Sequence, residues 1–450
     1  MTNYLHCKKN PYFTFSLCTV FLLFLASCGK TAPFREVFKK ATPYEQYQKA
    51  LEDTKLDQTA LGRDWLLAGQ RVLHDSLLIS VPFQETGYFG ADKPTAYSFR
   101  FNARRGERIT IQVGVQSLQK VKVFVDVFKW DGAPKLLISA DTNATSVTFE
   151  AEQDQMHLVR IQPELLRSGR YTLSITNSPS LGFPVQGKTD KQIGSFWGAD
   201  RDGGARRHEG VDIFAARGTP AIASTKGVIR GVNTNNLGGK VVWLWDQERN
   251  QTLYYAHLDS QLVQTGQLVN PGDTLGLVGT TGNARFTAPH LHFGIYRWPF
   301  GAIDPYPFIK ASSGMPADIK VPLDNLGMWY RVSAKKASIY HIPDKKSRIL
   351  QSIERHTPFV VIGGSSLWYH IILPSGVNGY IAAKDIEKVR MPVDQVKVKQ
   401  ITAVTDQPDS GSAVMETRAK GESVYALAKF GSYWLVETTR HGLGWVQTAL

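Results

Sequence analysis

The chain has 450 residues, 42% of them apolar and 20% charged, with a formal net charge of +13. That length suits two to four domains with separate cores, and the composition excludes both wholesale disorder and a protein built from many membrane spans. All three cysteines, Cys7, Cys18 and Cys28, fall within the first 28 residues, which excludes a cysteine-ligated metal site or a disulfide framework in the rest of the chain.

At the N-terminus Lys8 and Lys9 precede an apolar run over 12–25. The run is short for a membrane span, which needs about 20 apolar residues, and it ends in small residues. This pattern reads as an export signal over residues 1–27. The residues Leu25-Ala26-Ser27-Cys28 resemble the lipobox of bacterial lipoproteins. The resemblance implies lipidation of Cys28, which would tie the protein to a membrane through a lipid anchor without spanning it. By the same resemblance, Gly29 after the cysteine implies an outer-membrane lipoprotein facing the periplasm. The excess of positive charge is spread along the chain without a basic block. A solvated surface with weak attraction to anionic wall or lipid is expected, and nucleic acid is not expected as a partner.

Residues 28–76 read as a helical segment. Leu61, Trp65, Ala68 and Val72 recur at i, i+4, i+7 and i+11 as one apolar stripe, with Asp57 and Thr59 both available as caps, and the stripe is expected to pack on the next domain. Over 77–176 the period changes to two. Ile109, Ile111, Val113 and Val115 alternate with Thr110, Gln112 and Gly114; 124–128 and 171–175 are further strand runs, and Arg105-Gly106 and Ser168-Gly169 are turn signals. An antiparallel β-sandwich is expected there. Its stretches 103–110 and 169–173 resemble accessory sandwich modules of secreted bacterial peptidases. A Ser-, Pro- and Gly-containing connection over 177–187 leads into 190–310, which carries many glycines and short apolar strands such as 240–245. After a linker near 312–316, Trp368 with Gly379-Tyr380-Ile381 is echoed by Trp434 with Gly444-Trp445-Val446. Residues 323–390 and 394–450 each resemble a small SH3-like barrel. The fold class expected for the whole is mainly β.

The chemistry concentrates in 190–310, whose four histidines are His208, His257, His290 and His292. In His208-Glu209-Gly210-Val211-Asp212-Ile213, the β-branched Val211 and Ile213 favour a strand. A strand would put His208 and Asp212 on one face and Glu209 on the other. A helical His-Glu-x-x-His reading fails, because Asp212 stands where the second histidine would be. In Pro289-His290-Leu291-His292-Phe293, a strand places His290 and His292 on one face. His257 lies in Tyr254-Tyr255-Ala256-His257-Leu258, across a turn from 240–245, so a hairpin would bring it beside the sheet. Tyr255 shares its strand parity. A catalytic zinc site takes three nitrogen or oxygen ligands and keeps a position open for water. Four imidazoles and one carboxylate exceed that number, leaving groups to move protons.

The His-x-x-x-Asp, Tyr-x-His and His-x-His pieces, in that order, resemble the lysostaphin/LytM-type zinc metallopeptidases, which cut peptide bonds in bacterial peptidoglycan. Gly194-Ser195-Phe196-Trp197-Gly198, Gly218-Thr219-Pro220, Asn270-Pro271-Gly272-Asp273 and Gly279-Thr280-Thr281-Gly282 add to the match. The resemblance implies an antiparallel-β peptidase domain over 190–310, with His208, Asp212 and His292 holding one zinc and His257 and His290 as the catalytic histidines. It implies a zinc-dependent endopeptidase acting on the peptide cross-links or stem peptides of peptidoglycan through metal-activated water. The stretch 283–288 is longer than the Ser-Thr-Gly of the family and is expected to reshape the substrate groove. The alternative is a non-catalytic LytM-like regulator that binds and activates a cell-wall amidase. Such regulators typically lack several of these five residues, all of which are present here.

Overall fold

The computed structural model describes residues 40–141, 146–312 and 314–447. The export signal and Cys28 lie outside the described residues. Two helices open the described chain, Pro43–Asp53 and Ala60–Arg71. Thr42 and Glu45 satisfy each other's backbone amides in a capping box, with Pro43 preset for the first turn. Thr59 caps the second helix by accepting from the Gly62 amide, whereas Asp57 lies in the short 3₁₀ turn Leu56–Gln58. The buried stripe is Gly62, Trp65 and Gly69, so Leu61 turns outward, a one-residue rotation from the stripe expected. Trp65 stacks on Tyr44 and its Nε1 donates to the Pro163 carbonyl at 2.8 Å, fixing the helices on the following sheet.

That sheet has five strands in the order Leu77–Leu78, Tyr97–Ala103, Gln155–Pro163, Val123–Trp130 and Pro134–Ser139. It faces Phe83–Phe89, Gly169–Pro179, Glu107–Gln116 and Ser146–Glu150 across a core that includes Phe99, Phe101, Ile109, Ile111, Val127 and Leu173. Alternation along Glu107–Gln116 sends Ile109, Ile111 and Val113 inward, as its period of two requires.

The second layer of this sandwich does not end with the sandwich. Phe83–Phe89 pairs with Pro358–Ser365 through Thr86↔Gly364 and Gly87↔Gly363, so 77–176 and 323–390, which read as separate modules in sequence, share one eleven-stranded sheet. Glu85 is fully buried at this junction, accepting from Tyr380 Oη at 2.6 Å and pairing with His370 Nδ1 at 2.9 Å. A Cβ at Gly363 would lie 2.6 Å from the same carboxylate. Trp368 and Tyr380 belong to the core of the sandwich. The last module is a six-stranded sheet from Asp394–Lys397 to Leu443–Gln447, with Trp445 buried in its core.

Residues 193–303 form a ten-stranded sheet whose main path is Ile193–Ser195, Val211–Phe214, His290–Arg297, Gln251–Gln261, Gly239–Asp246, Gly227–Asn235 and Leu268–Val269. One face is buried by Val211, Ile213, Val242, Leu244, Leu253, Tyr255, Phe293 and Ile295, and the other carries polar and aromatic groups. The segment 181–185 is part of this packing: Leu181 and Val185 are buried in its core. Arg249 ties the domain to the sandwich by donating twice to Glu150, at 2.7 Å each.

Candidate metal centre

Register brings the chemistry together. Asp212 on Val211–Phe214 is the cross-strand partner of His292, and His292 is in turn the partner of Ala256 on Gln251–Gln261. His208 precedes the strand in an extended loop, and its backbone amide donates to the Ala199 carbonyl. The strand expected from His208 thus begins only at Val211. Glu209 consequently does not turn to the opposite face. It lines the cleft and accepts from Tyr296 Oη at 3.1 Å.

His208 Nε2, Asp212 Oδ1 and His292 Nδ1 form a triangle with every edge 3.0 Å. These three residues form a metal-compatible group among the described residues. His208 Nδ1 lies 2.9 Å from the Phe196 carbonyl, which can only accept, so Nδ1 carries the proton and Nε2 presents a bare lone pair. The His208 and His292 contacts outweigh the upward push of burial and hold Asp212 well below the usual carboxylate range. Burial in turn lowers His292, despite the opposing pull of Asp212, and favours its neutral form. Two imidazole nitrogens and a carboxylate oxygen converge on one point, an arrangement that a cation between them would hold together. A zinc ion with bonds of ~2.0–2.2 Å in tetrahedral geometry sets its ligand atoms roughly 3.3 Å apart, so the donor set fits.

An outer layer supports the triangle. Arg201 Nη2 donates to Asp212 Oδ2 and to Ser195 Oγ, both at 2.7 Å, and Ser195 Oγ lies 3.3 Å from His208 Nδ1. Arg201 thereby engages one carboxylate oxygen and leaves the other to face the histidines. Sequence reasoning missed Arg201, one of three arginines in the stretch 201–207, since nothing in that run distinguishes the one that reaches inward.

His257 and His290 stand beside the triangle. Their ring centroids are 5.0 Å apart, and His290 Nε2 is 3.9 Å from Asp212 Oδ1. Each is anchored through Nδ1 to a backbone carbonyl at 2.9 Å, His257 to Thr281 and His290 to Ala288. Each ring therefore keeps Nε2 free as a proton acceptor, and both rings line a cavity of about 480 Å³. Burial, with the imidazoles of His292 and His290, pushes His257 down to about 4, so it is neutral at pH 7.

His257 reaches this position through a break in its strand. Its φ is +62°, its amide donates to Gly238, and the register against Gly239–Asp246 slips between Lys240 and Val242. The slip reverses the alternation. Tyr255 shares sequence parity with His257 but is fully buried on the core side, where its hydroxyl meets Ser224. Tyr254 faces the cleft instead. Uninterrupted alternation would have chosen the wrong tyrosine.

The chain resembles known proteins over this region. Residues 206–305 match Peptidase family M23, a span that includes all five clustered residues but not Ser195 or Arg201. The chain is 38% identical over 143 residues to the L-Ala--D-Glu endopeptidase of Bacillus subtilis, covering 29% of this chain and 43% of the relative. It is 37% identical over 105 residues to the peptidoglycan DD-endopeptidase ShyC of Vibrio cholerae, covering 22% and 23%. It is 35% identical over 125 residues to lysostaphin of Staphylococcus simulans, covering 27% and 25%. The chain therefore spans less than half the length of each of these relatives. Among solved structures, the catalytic domain of lysostaphin from Staphylococcus simulans is 34% identical and aligns with 26% of this chain and 90% of its own, with a TM-score of 0.24.

Proposed function

We propose that this protein is a zinc-dependent endopeptidase that hydrolyses peptide bonds in bacterial peptidoglycan. The observation that carries the reading is the 3.0 Å triangle of His208, Asp212 and His292 with two backbone-anchored imidazoles beside it. The match to Peptidase family M23 and the similarity to a peptidoglycan DD-endopeptidase, an L-Ala--D-Glu endopeptidase and lysostaphin support the substrate class.

His208, Asp212 and His292 would hold the ion, which when bound supplies a Lewis acid able to polarise a carbonyl and acidify water. Asp212 offers Oδ1, because Arg201 engages Oδ2. His257 and His290 each spend Nδ1 on a backbone carbonyl and turn Nε2 to the cleft, so either can accept a proton from the attacking water and return it to the departing amine. Once protonated, the same imidazole donates toward the oxygen on which negative charge develops. Lipidation of Cys28 and anchorage to an outer membrane belong to the same reading, with the C-terminal SH3-like modules held near the wall.

The test is digestion of purified peptidoglycan with and without a chelator, the released muropeptides identified by mass spectrometry. Release that stops with chelator and returns with zinc is expected. No release under any metal condition, together with stimulation of an added wall amidase, would replace the peptidase by the regulator.

A further inference from the structure

The face of the sheet that carries the metal triangle continues along the strands as an aromatic floor. One step along from the row Asp212–His292–Ala256 stand Gly294, Tyr254 and Trp243 as cross-strand partners, and one step further stand Tyr296, Thr252 and Trp245. Trp243 packs on Tyr254 with centroids 4.2 Å apart and on Tyr296 at 5.5 Å. Tyr296 lines both the metal cavity and a second, shallower cavity of about 370 Å³, shared with Arg230, Trp245, Thr252 and Trp298. The two cavities adjoin at Tyr296, the residue that lines both. From His292 to Tyr296 is four residues of strand, ~13 Å.

Arg230 gives this second cavity its chemistry. It is exposed, its guanidinium lies 3.8 Å over the Trp245 ring, and no carboxylate among the described residues pairs with it. Its planar donors are preoriented by the indole and open to solvent. Trp298, 86% exposed, stands on the same cavity and leaves a large apolar surface uncovered. A guanidinium held flat on a ring fits a carboxylate through paired N–H donors.

We propose that Arg230, seated on Trp245, is a specificity subsite that binds a carboxylate carried by an extended peptide about five to six residues from the bond placed at the metal triangle. The inference rests on the peptidase reading for its substrate and assigns the position that the reading leaves open. Tyr296 is ~13 Å along the strand from His292, and Trp245 and Arg230 lie two and three strands across from it at ~4.8 Å each, so the guanidinium is roughly 16–19 Å from the triangle, which five to six extended residues span. Peptidoglycan stem peptides carry free or amidated carboxyls, so the subsite discriminates between these two forms.

The experiment uses the full zinc-loaded chain and cross-linked stem peptides whose scissile amide is reduced, so that binding is read by calorimetry without turnover. Two preparations are compared, one with free carboxyls and one amidated. Arg230→Gln is expected to weaken the free-carboxyl peptide about tenfold and to leave the amidated peptide unchanged. Arg230→Lys is expected to recover part of the loss, since it keeps the charge but not the fork. Arg230 is exposed, so an unchanged thermal midpoint will show that both variants fold. Equal weakening of both peptides, or none, overturns the subsite. So does binding of peptide-free glycan strands that Trp298→Ala abolishes, because the floor would then be a sugar platform. Carboxyl-dependent binding in a chain that never cleaves peptidoglycan would support the subsite while removing the peptidase.

Discussion

Three of the four imidazoles in the cluster are assigned by what their other nitrogen touches. His208 spends Nδ1 on the Phe196 carbonyl and presents Nε2 to the triangle, while His257 and His290 spend Nδ1 on Thr281 and Ala288. Two substitutions separate these roles. His292→Ala removes a corner of the triangle and is expected to abolish bound zinc, measured by atomic spectroscopy on the purified protein. His257→Ala touches no corner and is expected to keep its zinc while hydrolysis falls about 10²- to 10⁴-fold, the usual worth of a positioned acid–base group. Retained zinc in the first variant, or unreduced release of muropeptides by the second, would reverse the assignment. All five of these residues were singled out in the sequence by their order, their spacing and the resemblance they carry, but strand parity places only Asp212, His290 and His292, since His208 precedes its strand and His257 stands at a break. Arg201 was not legible. Its role depends on the path of a tight hairpin, Asp200–Arg201 against Arg206–Arg207, that sets which of several arginines points at Asp212.

The strand Gln251–Gln261 shows what an element adds to its residues. A regular strand would put Tyr255 and His257 on one face, but His257 adopts φ +62° and Tyr254 takes the cleft. A left-handed residue other than glycine costs about 1–2 kcal/mol, and here it buries one tyrosine in the core while aiming a histidine out of it. The neighbouring strand makes room. Gly239 has φ +65°, and a Cβ there would fall 2.2 Å from Thr281 Oγ1 and 2.4 Å from the Gly282 amide. Thr281 is the residue whose carbonyl anchors His257. Gly239→Ala is therefore expected to cost about 3 kcal/mol by denaturant unfolding and to lower turnover at least tenfold with zinc still bound. A variant with full activity would show that the slip tolerates a side chain. Nothing in the sequence announces this break, since Gly238-Gly239 is one pair among the many glycines of 190–310. The helix Ala60–Arg71 is a milder case: its existence was legible and its cap, Thr59, was one of two candidates, but tertiary contact with Phe124 and Pro163 rotated its buried stripe by one residue.

At the scale of the molecule, ions and sheet pairing join the parts. Burial alone would raise Glu150, but hydrogen bonds and charge from Arg249 and Arg108 outweigh it and hold the carboxyl below its usual range. The unfolded chain then binds more protons than the folded one, so this contribution is complete above the ordinary carboxylate value of ~4.3 and is lost as pH falls through the depressed folded one. Glu150→Gln is expected to lower stability at pH 7 by about 2 kcal/mol and to flatten the acid limb of the thermal midpoint against pH. An acid limb identical to that of the parent would remove Glu150 from the account. The mainly β class and its strand-rich segments were legible from period-two patterning, but the junction between the sandwich and residues 323–390 was not. Glu85 sits in Gln84-Glu85-Thr86, which reads as an ordinary surface strand, and its partners come from the far end of the chain. Tyr380 stands 295 positions away. A polypeptide made from its N-terminus must therefore leave the Glu85 carboxyl in its first sandwich without the hydrogen bonds of Tyr380 and His370 until most of the remainder has arrived. Completion of the earliest body waits on one of the latest, and a chain stopped after the ten-stranded sheet of 193–303 would present a bare strand edge to its neighbours.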